Sequence, residues 1–109
     1  MRRQDGEGFF VDLESMVEFA RNGIVSKTVA KKASSDVTLF CMSTGQELST
    51  HSASFPAIIH VLKGKGQITL GGQSYEAKLN AWIYMPKGLP HSVQATENLV
   101  FLLTLFKKQ

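Results

Sequence analysis

The 109-residue sequence has a single cysteine, Cys41, and only three prolines. One cysteine excludes an internal disulfide and fits a reducing compartment, and its apolar flanks predict a small buried hydrophobic side chain. Two arginines lie near the start of the chain, but no apolar run of signal-peptide length follows them. No stretch approaches the roughly 20 apolar residues of a membrane span. These absences predict a cytoplasmic protein with no membrane partner.

Neither positive nor negative charge is in large excess. The net charge is +3, and acidic residues are interspersed among the lysines, so no basic stripe for binding nucleic acid is predicted. No two carboxylates fall at matched inward positions of predicted strands, which argues against glycosidase-type catalysis. The sequence contains neither a nucleophile-elbow motif nor a phosphate-binding loop, and its glycine pairs are interpreted as turn residues.

The sequence does contain a series of short apolar or alternating runs, separated by turns at intervals of roughly 8 to 12 residues. Such spacing is typical of a β-sandwich or a closed barrel, and no helical crossover separates the runs. Gly71-Gly72 predicts a two-residue hairpin, because primed turns require positive φ. The predicted strands cover residues 24–30, 37–43, 57–62, 67–70, 73–75, 80–85, 91–95 and 99–106.

Two N-terminal features precede these strands. Residues 1–8 are polar and glycine-rich, which predicts a flexible arm. Asp12 can cap a short helix over residues 12–20, which Asn22-Gly23 would end. The alternation of Val17-Glu18-Phe19 fits a strand equally well, so both alternatives stay open.

Two histidines, His51 and His91, each follow a glycine or proline at a short, defined interval. Five residues separate Gly45 from His51, and the rigid segment Pro86-Lys87-Gly88-Leu89-Pro90 leads directly into His91. Together with Gly64, these intervals resemble the two signature motifs of the cupin family. The resemblance covers residues 45–95 directly, and four positions depart from the family pattern: Ala53, Ala57, Asn80 and Ala95.

The resemblance implies an all-β fold, the cupin-like double-stranded β-helix or jelly-roll barrel. We therefore expect one domain over residues 1–109, with a barrel core at about 24–107 and a short N-terminal segment along the outside. In the cupin pattern Ala53 stands where a second histidine would be and Ala57 where a glutamate would be. Both replacements delete metal ligands, so the resemblance supports the fold far more than an activity.

Alternation along the strands predicts a pocket inside this barrel. Residues i, i+2 and i+4 of a strand share a face, so Ala57 groups with Ile59 and Val61, whereas His60 points outward. An apolar lining with two polar points is typical of a small-molecule pocket. The predicted lining is His51, Ala53, Ala57, Ile59, Val61, His91, Val93 and Ala95.

Metal binding is an open alternative at His51 and His91. Catalytic zinc or iron sites normally have three protein ligands, so a third donor would have to come from outside the matched motifs. The candidates are Met42, Met85, Gln94, Gln46 and Glu47. Inward-pointing Met42, Met85 or Cys41 would favour copper. No cofactor is therefore assigned, and Fe, Mn, Ni, Zn and Cu stay open.

The leading functional hypothesis is a barrel that binds a small organic molecule, with weak or absent metal chemistry. His51 and His91 would make polar contacts at the mouth, above an enlarged apolar floor. One alternative, implied by the resemblance, is a metal-dependent enzyme of dioxygenase or isomerase type; another is a ligand-sensing or interaction module. Strands 57–62 and 99–106 are apolar on both faces, which predicts a covered outer face and a homodimer.

Overall fold

The computed structural model describes residues 6–107. Of the predicted flexible arm, residues 1–5 lie outside the described residues, and residues 6–8 are exposed and belong to no strand. A single turn of 3-10 helix at Leu13–Met16 precedes nine strands. The strands are β1 Ile24–Lys31, β2 Ser35–Met42, β3 Glu47–His51, β4 Ala57–Lys63, β5 Lys65–Leu70, β6 Gln73–Lys78, β7 Trp82–Met85, β8 His91–Ala95 and β9 Leu99–Phe106.

The strands form two antiparallel sheets that enclose the main core. The larger sheet has the order β1-β2-β9-β4-β7 and the smaller has the order β3-β8-β5-β6. Alternate residues of β4, β5 and β8 are buried between the sheets, as the period of two in their sequences requires. Phe101, Ile68 and Met42 are among the residues of this core cluster. The all-β jelly-roll prediction is confirmed.

Most predicted strands are present, and their boundaries differ in ways that packing explains. β8 and β9 have the predicted limits, and β5 and β6 form the hairpin predicted at Gly71-Gly72, where Gly71 has a φ of 60°. The predicted turn at residues 63–66 is shorter, because β4 runs to Lys63 and β5 begins at Lys65. β3 was not among the predicted strands, since Glu47-Leu48-Ser49-Thr50-His51 offers one apolar side chain to an alternation pattern.

The N-terminal helix prediction was wrong in extent. Asp12 does cap the segment, since its carboxylate accepts a hydrogen bond from the Glu14 amide, but the helix ends at Met16. Val17 has an extended backbone, and with Met16 it packs on the outer face of the larger sheet against Leu39, Cys41 and Val100. Burial of these two side chains outweighs a weak helical pattern. Cys41 is buried in this second cluster, as predicted.

Asn80 occupies the left-handed region of backbone conformation, with a φ of 73°. It stands where the cupin pattern usually has glycine, and asparagine is one of the few other residues that enter this region readily. Its amide donates to the carbonyl of Val61, and the amide of Val61 donates to the carbonyl of Ala81. The departure from the family pattern therefore preserves the backbone turn that leads into β7.

None of the helices in residues 6–107 is both long enough and apolar enough to cross a membrane.

Candidate functional site

His51 and His91 are direct neighbours on adjacent strands of the smaller sheet. β3 pairs with β8, and the two histidines are partners in that register, beyond an irregularity that follows Leu48. Their ring centroids lie 4.3 Å apart with the ring planes at 63°. His91 is buried, with 7% of its surface exposed, whereas His51 lies at the exposed end of its strand. The sheet thus joins the two predicted histidines into one polar site.

Three loops are tied together beside this pair. The Gly88 amide donates to the carbonyl of Ala53, at 2.9 Å, and the Gly71 amide donates to the carbonyl of Pro90, at 2.8 Å. Within the turn, the Leu89 amide donates to the carbonyl of Pro86. These bonds connect the turn before β8 to the loop after β3 and to the β5–β6 hairpin. The rigid turn that the sequence predicted before His91 is therefore braced on both sides.

The same type of hydrogen bond orients both imidazoles. Nδ1 of His51 lies 2.9 Å from the carbonyl oxygen of Ser49, and Nδ1 of His91 lies 2.9 Å from the carbonyl oxygen of Leu89. Because a carbonyl oxygen can only accept, Nδ1 carries the proton in each ring. A neutral ring then has its lone pair on Nε2. Neither Nε2 has a hydrogen-bond partner among residues 6–107.

A cavity of about 130 Å³ lies next to the histidine pair. Its wall combines two imidazoles with seven apolar side chains that come from both sheets. They are Phe40, Leu48, His51, Ile59, Met85, His91, Val93, Phe101 and Leu103. An apolar chamber with a polar group at one point is the usual form of a small-molecule site.

Four of the eight predicted pocket residues line this cavity: His51, Ile59, His91 and Val93. The other four do not. Ala57, Val61 and Ala95 are buried in the main core on the predicted faces, and the carbonyl of Ala53 holds the Gly88 loop. A single methyl group projects less far than Met85, Phe101 or Leu103, so the larger side chains form the wall. The alanines do not form the apolar floor that the sequence predicted.

Sequence reasoning missed five of the lining residues as pocket residues: Phe40, Leu48, Met85, Phe101 and Leu103. Phe40 and Phe101 are partners in the β2–β9 register and stack with their centroids 5.1 Å apart. Alternation in residues 99–106 separates the odd-numbered from the even-numbered positions, but both sets are apolar apart from Thr104. The pattern therefore could not tell which set faces inward. Met85 was considered only as a metal donor.

The site brings together two imidazoles, fewer than the three imidazole, thiolate or carboxylate ligands usual in catalytic zinc and iron sites. Among the described residues, no group of three or more His, Cys, Asp or Glu side chains could hold an ion. Of the predicted additional donors, only Met85 lines the cavity. Glu47 and Gln94 are exposed partners across β3 and β8, Met42 lies in the core, and Cys41 lies in the outer cluster. Two imidazoles and one thioether are what the site can offer.

His60 lies outside the site. It is half-buried on the outward face of β4, opposite Trp82 of β7 and Leu102 of β9. This placement agrees with the outward direction predicted from alternation.

Two facing antiparallel sheets, with paired histidines beside an apolar cavity, define a small jelly-roll barrel. A family profile described as "Cupin domain" matches residues 38–105, which is more than half of the chain. The chain belongs to the cupin family, as the sequence motifs predicted. Its activity is unassigned.

The chain is also similar to proteins of other bacteria. An uncharacterized protein of Aquifex aeolicus (strain VF5) is 35% identical over 60 residues, which cover 55% of this chain and 50% of that protein. The match thus spans half the length of this curated relative. A crystal structure of a conserved protein of unknown function from Streptococcus pyogenes superimposes with a TM-score of 0.84 at 28% identity, covering 94% of this chain and 90% of that chain.

A cupin 2 conserved barrel domain protein from Leptotrichia buccalis is 32% identical, with a TM-score of 0.83. The match covers 89% of this chain and 47% of that chain. The fold is therefore shared by proteins in which this barrel is the greater part of the chain and by proteins in which it is about half. None of these names states a substrate.

Proposed function

We propose that this protein binds a small organic molecule in the cavity beside His51 and His91, and that binding does not require a metal. The observation that carries the proposal is the wall of the cavity, in which two imidazoles are the only polar side chains among nine residues. Removing a ligand from water into such a chamber is favoured by about 25 cal/mol for each Å² of apolar surface buried. The two histidines would supply orientation.

The donor set supports the second part of the proposal. With Ala53 and Ala57 at the positions where the family pattern has metal ligands, the histidines lack a carboxylate or a third imidazole. Two imidazoles alone bind divalent ions weakly and with little selectivity. A cytoplasmic location belongs to the same proposal, supported by the presence of only one cysteine.

A fragment screen by NMR tests the proposal on the untagged protein. We expect compounds of fragment size to shift the amide resonances of Ile59 and Val93, which line the cavity from opposite sheets. A Leu48→Trp variant places a larger ring at the wall and should abolish these shifts. Leu48→Met conserves volume and serves as the matched control. A screen in which no compound shifts these resonances would refute the proposal.

A metal-dependent enzyme is the second candidate, and one observation favours it. Both Nδ1 atoms are held by carbonyl groups, which leaves both Nε2 atoms oriented as metal-binding histidines usually are. Elemental analysis of protein purified without a histidine tag separates the two candidates. Stoichiometric Fe, Mn, Ni, Zn or Cu that is lost in His91→Ala would favour the enzyme. We expect no stoichiometric metal.

A further inference from the structure

The chemistry of the ligand can be inferred from the hydrogen bonds that orient the two histidines. Each Nδ1–H donates to the carbonyl oxygen two residues earlier in the chain, from Ser49 for His51 and from Leu89 for His91. This hydrogen bond places a proton on Nδ1, so the neutral form of each ring offers Nε2 as its acceptor, and Nε2 of neither histidine has a hydrogen-bond partner among residues 6–107. Two acceptors favour a ligand that brings a hydrogen-bond donor. They disfavour an anion, which would need a donor from the protein.

The size of the cavity limits the ligand to about one ring. An engineered apolar cavity of about 150 Å³, lined by leucine, isoleucine and phenylalanine, binds benzene. The cavity beside the histidines has a volume of about 130 Å³ and a similar lining. A second ring would fit inside only if core side chains such as Phe101, which is 1% exposed, were displaced, so it would have to lie outside the cavity. Displacement of packed core residues is costly.

The apolar wall favours an aromatic ring over an aliphatic one. Phe40 and Phe101 stack with their planes 9° apart, and both line the cavity with Met85. Phenylalanine rings attract other rings in offset or edge-on arrangements, and thioether sulfur makes favourable contacts with ring edges. These three side chains line the cavity together with the two imidazoles, so a ring in the cavity can make such contacts near a polar group.

We propose that the cavity selects neutral, single-ring hydroxyl compounds of the phenol class, whose O–H donates to Nε2 of His51 or His91. This inference rests on the proposed binding function and specifies its ligand. The hydroxyl group donates to an imidazole that is already oriented by its own backbone contact. The ring lies among Phe40, Met85 and Phe101 in place of water.

The test compares phenol with toluene, in which a methyl group of similar size replaces the hydroxyl. Dissociation constants are measured by NMR titration in the presence of a metal chelator, for the wild type and for His51→Leu/His91→Leu. Leucine retains an apolar side chain at each position and removes both acceptors. We expect the ratio of the toluene to the phenol dissociation constant to fall about three- to tenfold in the variant, the usual effect of one hydrogen bond. Benzoate should bind more weakly than phenol to the wild type.

The possible outcomes distinguish failure of the phenol inference from failure of the binding function. An unchanged ratio in the double variant would overturn the hydroxyl inference while leaving the binding function intact. Failure of phenol and toluene to bind, when larger fragments shift Ile59 and Val93, would overturn this proposal while leaving the binding function intact. A preference for phenol that disappears with the chelator would assign recognition to a metal and overturn this proposal. If no compound binds, both proposals fail. A circular dichroism spectrum of the variant shows whether it folds, and His51→Leu alone replaces it if it does not.

Discussion

At Gly64, between β4 and β5, another part of the chain comes unusually close. A Cβ atom on this residue would lie 1.8 Å from the carbonyl oxygen of Asn98, and its φ is 78°. Gly45 has a similar φ of 90°, but a Cβ there would meet no atom within 4 Å. Both residues belong to the sequence frame that resembles the cupin motifs. The structure gives them different roles, one steric and one purely conformational.

We predict that Gly64→Ala and Gly45→Ala differ sharply in stability. Gly45→Ala should lower the free energy of unfolding by about 1–2 kcal/mol, the cost of a left-handed backbone for an L-residue. Gly64→Ala adds a clash with main-chain atoms, and we expect a loss above about 4 kcal/mol or failure to fold. Urea denaturation of both variants measures the difference. Equal losses would show that the approach of Asn98 is not a constraint.

Individual residue types explain why both histidines could be predicted from the sequence, whereas fewer than half of the residues that line the cavity were predicted. Histidine is rare in this chain, and the spacing from Gly45 and Pro86 marks two of the three. Leucine and phenylalanine are common in its strands, so the sequence does not distinguish Phe101 and Leu103, which line the cavity, from other core residues. A single residue type at a characteristic spacing can be recognised in the sequence. The shape of a cavity depends instead on the packed positions of many side chains.

At the scale of elements, the N-terminal segment covers one part of the outer face of the larger sheet. Met16 and Val17 pack against it, and two ion pairs hold the segment at 2.8 Å, Glu18 with Lys27 of β1 and Glu14 with Lys63 of β4. The hydrogen bond from Lys27, followed by its positive charge, lowers the pKa of Glu18. The contact is exposed to solvent, so its effect is modest.

We predict that acid loosens this segment through Glu18. Because the pKa of Glu18 is lowered in the folded state, its contribution is present above the unfolded pKa and is lost as the pH falls through the folded value. The methyl resonance of Met16 should therefore shift as the pH falls below the ordinary glutamate pKa of about 4.3. Glu18→Gln should remove that transition, and Glu76→Gln, on exposed β6, should retain it. A transition that persists in Glu18→Gln would assign it to another group.

For the whole molecule, the remaining outer face suggests a partner. Beyond the N-terminal segment, Trp82 and Tyr84 are 61% and 50% exposed on β7, which is an edge strand. They lie beside His60 and Ile58 of β4, their cross-strand partners. Exposed apolar patches of this kind mark protein interfaces. The homodimer expected from the sequence thus becomes a proposal with a specific location.

We predict that Trp82→Lys converts a dimer into a monomer, because it places a charge at the centre of this patch. Light scattering coupled to size-exclusion chromatography measures the mass of each variant. Thr50→Lys is the control, since Thr50 is exposed on β3, the edge strand of the smaller sheet that lies farthest from β6. A monomeric wild type would contradict the proposal, as would a dimer that Trp82→Lys leaves intact.

Much of the architecture could be read from the sequence, because strands and turns are local. Turn glycines and alternating runs placed eight of the nine strands within a few residues. The local signal failed where packing decided the backbone, as at Val17, and where few apolar residues were present, as in β3. The family could be identified from the spacing of five residues alone: Gly45, His51, Gly64, Pro86 and His91.

By itself, the sequence determined that the barrel has two histidines in the cupin frame and alanines where two other metal ligands would be. Those facts depend only on residue identity and spacing. Only the tertiary structure decided that His51 and His91 meet across β3 and β8, and that Phe40, Phe101 and Leu103 line the space beside them. Alternation assigns residues to opposite faces of a strand. Only the pairing and packing of the sheets determine which face turns inward and which distant residues meet.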